Sequence, residues 1–197
     1  GVGYYYNWIV GPVPHYVRKG IEKTADVDVD VVCNSHGPIL TKSCCLEEVR
    51  RLYEEWASPV ERSAKRSPIF YCTAYGNTQK LAEGAARGIS KVFPDAEVEI
   101  YNIIEHDLKL LTGLMNESDG FLVGSPTINR DAVPPVWQLL AGMEPVGIQK
   151  RPVALFGSFG WSGEALPHIA ERLQSVKAKV FEQQVKVNFV PTEDDVK

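Results

Sequence analysis

The sequence of 197 residues has no long apolar run, and no stretch approaches the roughly 20 residues that a membrane-spanning helix needs. Its first residues also lack the charged-then-apolar pattern of a secretory signal. Neither sign of charge is in large excess, because 21 Lys and Arg residues stand against 25 Asp and Glu residues. We therefore expect neither a membrane nor a nucleic acid as partner. The 44% of hydrophobic residues can support the core of one or two domains.

The cysteine residues lack the spacing of a disulfide framework, and they contain no Cys-x-x-Cys pair. They are Cys33, Cys44, Cys45 and Cys72. Neighbouring cysteines such as Cys44 and Cys45 are poorly placed to bridge each other, so we assign them neither a redox nor a metal-binding role. The pattern indicates reduced thiols and a cytoplasmic location.

A short polar loop follows the apolar residues 67–72 and opens a helix-patterned stretch, and its members are Thr73, Ala74, Tyr75, Gly76, Asn77 and Thr78. The free N–H groups of a helix's first turn and the helix dipole favour an anion at such a place. Thr73 and Thr78 add hydroxyl donors, and Gly76 permits a turn that a side chain would obstruct. Since the loop holds no Lys or Arg, it predicts one terminal phosphate held by neutral donors, not a nucleoside triphosphate. An ordinary helix cap is the alternative.

From residue 67 onward, strand and helix patterns alternate with short connections. We predict strands at residues 67–72, 96–101, 120–125, 152–156 and 180–190, and helices after Thr78, at 134–140 and at 164–176. The continuous apolar runs at 120–125 and 152–156 are typical of strands that are covered on both faces. This alternation predicts an α/β fold with a doubly wound, five-stranded parallel sheet.

Three polar loops follow predicted strands, at residues 73–78, 125–131 and 157–163. Ligands of such sheets bind beyond the carboxyl ends of the strands, so we expect the three loops to share one site. The second loop has a bend at Pro126 and suits hydrogen bonding to the edge of a flat heterocycle. The third places Trp161 among glycines, where the indole can lie flat on a π-system. The alternative for Trp161 is a residue that only covers the end of the sheet.

These segments resemble the flavodoxin fold and, more narrowly, the flavodoxin-like domain of flavodiiron proteins, the A-type flavoproteins. The resemblance runs from about residue 67 to the end of the chain and rests on residues 73–78, on 123–131 with Pro134 and Pro135, and on 156–164. The family implies FMN, with its phosphate on the first loop and its isoalloxazine between the other two. Besides residues 73–78, the implied FMN contacts are Ser125, Pro126, Thr127, Ile128, Asn129, Ser158, Phe159, Gly160, Trp161, Ser162 and Gly163.

The first 57 residues resemble the end of the metallo-β-lactamase-like diiron domain that precedes flavodoxin in flavodiiron proteins. We predict a strand at residues 26–33 and a helix marked by Leu46, Val49, Leu52, Tyr53 and Trp56. In this family the His of a Ser-His-Gly-Pro segment ligates iron, so the resemblance implies His36 as a metal ligand once the rest of the diiron domain is supplied. The sequence has no His-x-Glu-x-Asp-His run, and one His cannot assemble a diiron site.

The predicted organisation therefore has three parts. Residues 1–57 are a partial metallo-β-lactamase-like segment, 58–67 are a polar linker, and 68–197 are a flavodoxin-like FMN-binding domain. Residues 191–195 resemble the start of a final helix, with Thr192 as its cap. We expect the chain to be a fragment of a larger protein, cut inside the diiron domain and inside this last helix.

The predicted function is FMN-dependent electron transfer, as the flavin module of a flavodiiron oxidoreductase that reduces O2 or NO. The flavin supplies the chemistry, so we assign no catalytic residue in this chain. The resemblance implies iron only in the intact parent protein, a homodimer there, and a rubredoxin-like, flavin reductase or NAD(P)H-linked electron donor. One alternative is a stand-alone FMN-dependent quinone or NAD(P)H oxidoreductase, for which no pocket motif is present. Another is a non-redox phosphate-binding or interaction module.

Overall fold

Two units make up the chain, Gly1–Glu61 and Arg62–Lys197. The computed structural model describes residues 2–11, 13–58 and 64–196, apart from the side chain of Trp8. Of the predicted linker at 58–67, residues 59–63 lie outside this described part. Among the described helices, none has both the length and the apolar sequence that crossing a membrane requires.

The first unit is built from helices and one short antiparallel ribbon. Its elements are α1 (Val2–Tyr5), which continues as a π-helical turn (Tyr6–Val10), α2 (Pro14–Thr24), β1 (Val31–Val32), β2 (Leu40–Thr41) and α3 (Leu46–Ala57). The predicted helix at Leu46 is confirmed as α3. The strand predicted at 26–33 is shorter, because only Val31 and Val32 pair with β2.

Aromatic packing organises this first unit. The ring of Tyr6, whose side chain is only 3% exposed, lies 5.0 Å from the ring of Tyr53 and 4.9 Å from that of Trp56. Both partners belong to α3, one turn apart, so they form one face of that helix. Arg18 of α2 donates to the carbonyl oxygen of Ala57 at 2.6 Å. This bond satisfies one of the carbonyl groups that the carboxyl end of α3 leaves without an intrahelical partner.

The second unit alternates strands and helices along the chain. Its elements are β3 (Ile69–Tyr71), α4 (Asn77–Val92), β4 (Ile100–Asn102) with a 3-10 turn (Ile103–Glu105), α5 (Leu108–Glu117), β5 (Phe121–Ile128), β6 (Asp131–Ala132), α6 (Pro134–Ala141), α7 (Pro145–Ile148), β7 (Pro152–Phe159), α8 (Ala165–Ser175), β8 (Lys179–Val180) and β9 (Val185–Asn188). Proline opens both α6 and α7, where its missing N–H group has no intrahelical role.

The sheet of the second unit has the order β4-β3-β5-β7-β8, and each of these neighbours pairs in parallel. β8 pairs with the start of β7 and β9 pairs in parallel with its end, so β8 and β9 together fill one strand position. β6 is antiparallel to β5. The predicted α/β fold with a doubly wound parallel sheet is confirmed. The sheet has seven described strands instead of five, because the fifth strand is interrupted and β6 is added.

Two apolar clusters cover the two faces of this sheet. On β3, Ile69 and Tyr71 face the cluster that contains Leu81 of α4, whereas Phe70 faces the larger cluster. Helices α5, α6 and α8 supply residues of that larger cluster. The alternation follows from the two-residue period of a strand. Burial on both faces holds the strand ends rigidly, which is what a site built on the following loops requires.

Candidate functional site

A cleft of about 660 Å³ lies at the carboxyl ends of β3, β5 and β7. It is lined by Ala74, Tyr75, Asn77, Pro126, Thr127, Ile128, Asn129, Arg130, Ser158, Phe159, Gly160, Trp161, Ser162 and Phe189. The three predicted loops therefore meet, as expected for a sheet whose strands run parallel. Its volume is in the ordinary range for a cofactor or small-molecule pocket.

The loop after β3 leaves hydrogen-bond donors free. Gly76 stands at the N-cap of α4 with φ of +78°, and no side chain of the described residues caps this helix. The N–H groups of the first helical turn therefore keep their donor capacity. The hydroxyl of Thr73 is buried and has no hydrogen-bond partner among the described residues. A buried, unpaired hydroxyl costs free energy, so this atom fits the part of a ligand donor.

Thr78 occupies a different position from Thr73. Its side chain is fully buried, and its hydroxyl lies 3.0 Å from the hydroxyl of Ser158 on β7. The bond joins the first turn of α4 to the strand that leads into the third loop. Thr78 does not line the cleft, so its predicted contact with phosphate stays a prediction.

The second segment is mostly strand. Residues 125–128, which the sequence analysis placed in a loop, belong to β5, and Pro126 lies opposite Ser158 of β7. The loop proper is the two-residue turn between Ile128 and Asp131, which pair with each other. Both of its residues have a positive φ, 54° for Asn129 and 61° for Arg130. Two consecutive positive values are typical of the tight hairpin turn that matches strand twist.

Exposed aromatic side chains stand at the rim of the cleft. Trp161 is 95% exposed and Tyr75 is 91% exposed, although both line the cleft. Ser158 and Phe159 again belong to a strand, β7, and the third loop itself starts at Gly160. The side-chain amide of Asn188 donates to the carbonyl oxygen of Gly160 at 3.3 Å, so β9 supports this loop. Large exposed aromatic surfaces beside a cleft mark it as a place for a flat ligand.

Charged groups lie at one edge of the cleft. Nε of Arg130 donates to Oε1 of Glu164 at 3.1 Å. The hydroxyl of Ser162 is the main cause of the lowered pKa of Glu164, and the backbone N–H of Glu164 and the guanidinium of Arg130 lower it further. Nδ1 of His168 lies 3.0 Å from Oδ1 of Asp131, and this hydrogen bond is the main cause of the lowered pKa of Asp131. Among the described residues that line the cleft, Arg130 carries the one formal charge.

The predicted site residues and the cleft overlap widely but not completely. Twelve predicted residues line the cleft, while Thr73, Gly76, Thr78, Ser125 and Gly163 do not. Thr73 and Gly76 still belong to the loop that leads into α4. Arg130 and Phe189 also line the cleft, although neither is among the predicted FMN contacts. Phe189 directly follows β9, so the rule that ligand sites lie beyond strand ends could have found it.

His36 belongs to the first unit, where its ring lies 5.9 Å from the ring of Tyr5. Among the described residues, no group of three or more His, Cys, Asp or Glu side chains could hold a metal ion. The assignment of His36 as an iron ligand in the intact protein stays a prediction.

Comparisons with known proteins agree with this geometry. The flavodoxin family model matches residues 69–197. The flavo-diiron protein FprA2 of Clostridium acetobutylicum is 44% identical over 98% of this chain and 48% of its own length. The type A flavoprotein fprA of Rhodobacter capsulatus is 32% identical over 96% of the chain and 44% of its own length. The chain thus spans about half the length of these curated relatives.

Solved structures match either nearly the whole of this chain or about two thirds of it. Rubredoxin oxygen:oxidoreductase from Desulfovibrio gigas matches 98% of this chain and 47% of its own, with 27% identity and a TM-score of 0.71. A flavodoxin from the domain Archaea matches 66% of this chain and 88% of its own, with 27% identity and a TM-score of 0.56. The predicted resemblance to flavodiiron flavin domains and the predicted FMN cofactor are confirmed. The chain therefore belongs to the flavodoxin family.

Proposed function

We propose that this chain forms the flavin module of a longer oxidoreductase and passes electrons from FMN to a diiron centre that reduces O2 or NO. The observation that carries the assignment of the cofactor site is the buried hydroxyl of Thr73, which has no hydrogen-bond partner in the described part of the chain and lies beside a start of α4 that no side chain caps there. These donors suit a terminal phosphate, and the adjoining cleft of about 660 Å³ suits the rest of a flavin mononucleotide.

The protein's own groups bind and orient the cofactor in this proposal. The loop at residues 73–78 holds the phosphate through hydroxyl and N–H donors. The β5–β6 hairpin faces the polar edge of the ring system, and the loop at 160–163 covers one of its faces. FMN supplies the transfer of one or two electrons. The chain determines where the ring lies and which charges surround it.

The first unit has a separate role in the longer protein. We assign residues 1–57 to the end of a metallo-β-lactamase-like domain, 58–67 to a linker and 68–197 to the FMN domain. His36 then serves as one iron ligand of a site whose other ligands lie outside this sequence. Support for this division comes from the flavodoxin family model, whose match begins at residue 69, and from the boundary between the two units at Glu61 and Arg62.

The electron donor is a rubredoxin-like protein, a flavin reductase or an NAD(P)H-linked protein, in a cytoplasmic and homodimeric parent. Support for the first comes from the rubredoxin oxygen:oxidoreductase of Desulfovibrio gigas and from an anaerobic nitric oxide reductase flavorubredoxin of Salmonella. Mixing the FMN-loaded chain with chemically reduced rubredoxin under argon tests this partner. We expect bleaching of the flavin absorbance, and unchanged absorbance would remove rubredoxin as the donor.

The cofactor assignment is tested by titrating the purified chain with FMN and with riboflavin, which lacks the phosphate. Hydrogen bonds to a charged group contribute about 1.5 to 3 kcal/mol each, so we expect FMN to bind at least about tenfold more tightly. Fluorescence quenching of each flavin gives both dissociation constants. Equal affinities would show that the loop at residues 73–78 does not bind the phosphate.

A further inference from the structure

We propose that Glu164 and His168 are positioning residues that hold the β5–β6 hairpin against α8 and thereby set the relative affinity for oxidised and reduced FMN. This inference rests on the proposed cofactor site. The two residues are four positions apart, so they lie on one face at the start of α8. Each of them holds one of two consecutive hairpin residues, Arg130 and Asp131.

The hairpin needs such support because its backbone is strained. Asn129 and Arg130 both adopt left-handed conformations, with φ of 54° and 61°. Residues other than glycine avoid this region, and they stay there only when their surroundings hold them. A turn of this kind at the edge of a ligand cleft moves easily unless contacts outside the turn fix it.

Three contacts between the start of α8 and the β5–β6 hairpin provide this support. Arg130 Nε and Glu164 Oε1 are 3.1 Å apart, and His168 Nδ1 and Asp131 Oδ1 are 3.0 Å apart. The N–H group of Ala165 donates to the hydroxyl of Thr127 at 3.4 Å. Each single contact on a surface is weak, but three contacts on Thr127, Arg130 and Asp131 of one short hairpin restrict its position together.

The Arg130–Glu164 ion pair and the Asp131–His168 hydrogen bond have opposite effects on a charged ligand. Glu164 compensates the guanidinium of Arg130, the one charged side chain among the described residues that line the cleft. Without this carboxylate, the positive charge of Arg130 is free to stabilise the negative ring of fully reduced FMN. Without His168, the carboxylate of Asp131 loses its imidazole partner and disfavours that negative ring.

Two single variants test the inference in the full chain. We expect Glu164→Gln to lower the dissociation constant of fully reduced FMN relative to oxidised FMN by about three- to tenfold. We expect His168→Leu, which removes the ring nitrogen that bonds to Asp131, to change the same ratio in the opposite direction. A tenfold change in this ratio shifts the two-electron midpoint potential by about 30 mV. Spectroelectrochemical titration and fluorescence quenching measure both quantities.

Glu97→Gln is the matched control. Arg66 Nε and Glu97 Oε2 are also 3.1 Å apart, but Arg66 precedes β3 and so lies at the opposite end of the strands from the cleft. We expect this variant to leave the potential unchanged. If the loss of any surface carboxylate were enough to change the potential, Glu97→Gln would shift the potential as far as Glu164→Gln does.

Double variants separate positioning from a purely structural role. The effect of Glu164→Gln on the potential should vanish in an Arg130→Gln background, and that of His168→Leu should vanish in an Asp131→Asn background. Effects that persist there, or single variants that behave like Glu97→Gln, would overturn the inference. If the wild-type chain binds no FMN at all, it is the proposed function that fails, and no variant is needed to see it.

Discussion

The hydroxyl groups of Thr78 and Ser158 lie 3.0 Å apart, although 80 positions separate the two residues in the sequence. Both side chains are buried. Their hydrogen bond joins the first turn of α4 to β7, so it ties the first loop of the cleft to the strand that precedes the third. The hydroxyl of Thr78 is therefore engaged within the fold, whereas that of Thr73 has no partner among the described residues.

This difference predicts opposite behaviour for two threonine-to-valine variants. Thr73→Val removes a buried donor that has no partner among the described residues, so FMN affinity should fall by about 1.5 to 3 kcal/mol while the FMN-free protein keeps or gains stability. Thr78→Val leaves the hydroxyl of Ser158 buried without a partner, so the free energy of unfolding should fall by about 1 to 3 kcal/mol. Fluorescence quenching measures the first effect and urea denaturation the second.

Both variants make the same threonine-to-valine change within six positions of the sequence, so each is a control for the other. A stability loss in Thr73→Val that equals the loss in Thr78→Val would mean that the Thr73 hydroxyl has a structural role. Unchanged FMN affinity in Thr73→Val would remove this residue from the phosphate site.

The apolar pattern of the sequence was enough to predict the succession of the strands along the chain and the three loops that follow them, because buried strands in a parallel sheet need continuous apolar runs. It placed the ends of β5 and β7 too early. Residues such as Thr127 and Ser158 are polar, but they continue the strands to the edge where the ligand site lies. Hydrophobic periodicity reports burial against the core, and it does not detect a strand segment that faces a cleft.

The sequence pattern could not predict contacts between residues that are far apart in the sequence. The pairs Arg130–Glu164 and Asp131–His168 join residues 34 and 37 positions apart. Single-sequence periodicity carries information about neighbours along a helix or strand, and such pairs depend on how the elements pack. The left-handed turn at Asn129 was missed for a related reason, since its sequence lacks the glycine that usually marks such a hairpin.

Trp161 should interact with the flavin without stabilising the fold. Its side chain is 95% exposed at the cleft, so Trp161→Ala removes little packing. If the indole stacks on the ring, the variant should bind FMN about 1 to 3 kcal/mol more weakly and raise the emission of the bound flavin. Fluorescence spectra and melting temperatures of the loaded and FMN-free forms measure these effects.

Phe93→Ala provides the matched control for this variant. Phe93 is another exposed aromatic residue, but it follows the carboxyl end of α4, whereas the cleft lies at the amino end. We expect no change in flavin emission there. Equal emission from wild type and Trp161→Ala would show that the indole only covers the end of the sheet.

The chain by itself should not reduce O2 or NO catalytically through a diiron centre. His36 has no set of metal-binding neighbours among the described residues, and two irons need several carboxylate and imidazole ligands. Adding ferrous iron under argon to the FMN-loaded chain should therefore give neither stoichiometric binding of two irons nor sustained NO consumption. Iron analysis after gel filtration and an NO electrode check this. Two tightly bound irons per chain would contradict it.

The buried thiol of Cys72 predicts a loss of stability at alkaline pH. Burial raises the pKa of Cys72 from its ordinary value of 9.0 to about 11. The folded protein therefore holds this proton more strongly than the unfolded chain, and the resulting stability is present below pH 9. It is lost as the pH rises from about 9 to about 11, and the loss is roughly 2 to 3 kcal/mol.

Urea denaturation at several pH values isolates this contribution when the wild type is compared with Cys72→Ala. The slope of unfolding free energy against pH should be flatter in the variant. Cys33→Ala removes an exposed thiol and should keep the wild-type slope. Parallel curves for wild type and Cys72→Ala would mean that the thiol titrates normally in the folded protein.

Substitution by alanine should have opposite effects on stability at two glycines of one helix segment, Gly76 and Gly88. Neither Gly76 nor Gly88 has an atom within 4 Å of the position that an added Cβ would take, so steric crowding does not distinguish them. Gly88 lies inside α4, where alanine stabilises a helix by about 0.5 to 1 kcal/mol. Gly76 has a φ of +78°, where a Cβ costs about 1 to 2 kcal/mol. We therefore expect Gly88→Ala to raise the melting temperature and Gly76→Ala to lower it.

FMN affinity adds a second readout to this pair. Gly76 sets the direction of the loop that precedes α4, so relief of the strain in Gly76→Ala should turn the free N–H groups of the first helical turn away from the phosphate. Affinity for FMN should then fall while affinity for riboflavin stays the same, because riboflavin has no phosphate to lose. Gly88→Ala should change neither affinity. An equal loss for both flavins in Gly76→Ala would mean that the whole cleft is disturbed and that the left-handed glycine does not act on the phosphate alone.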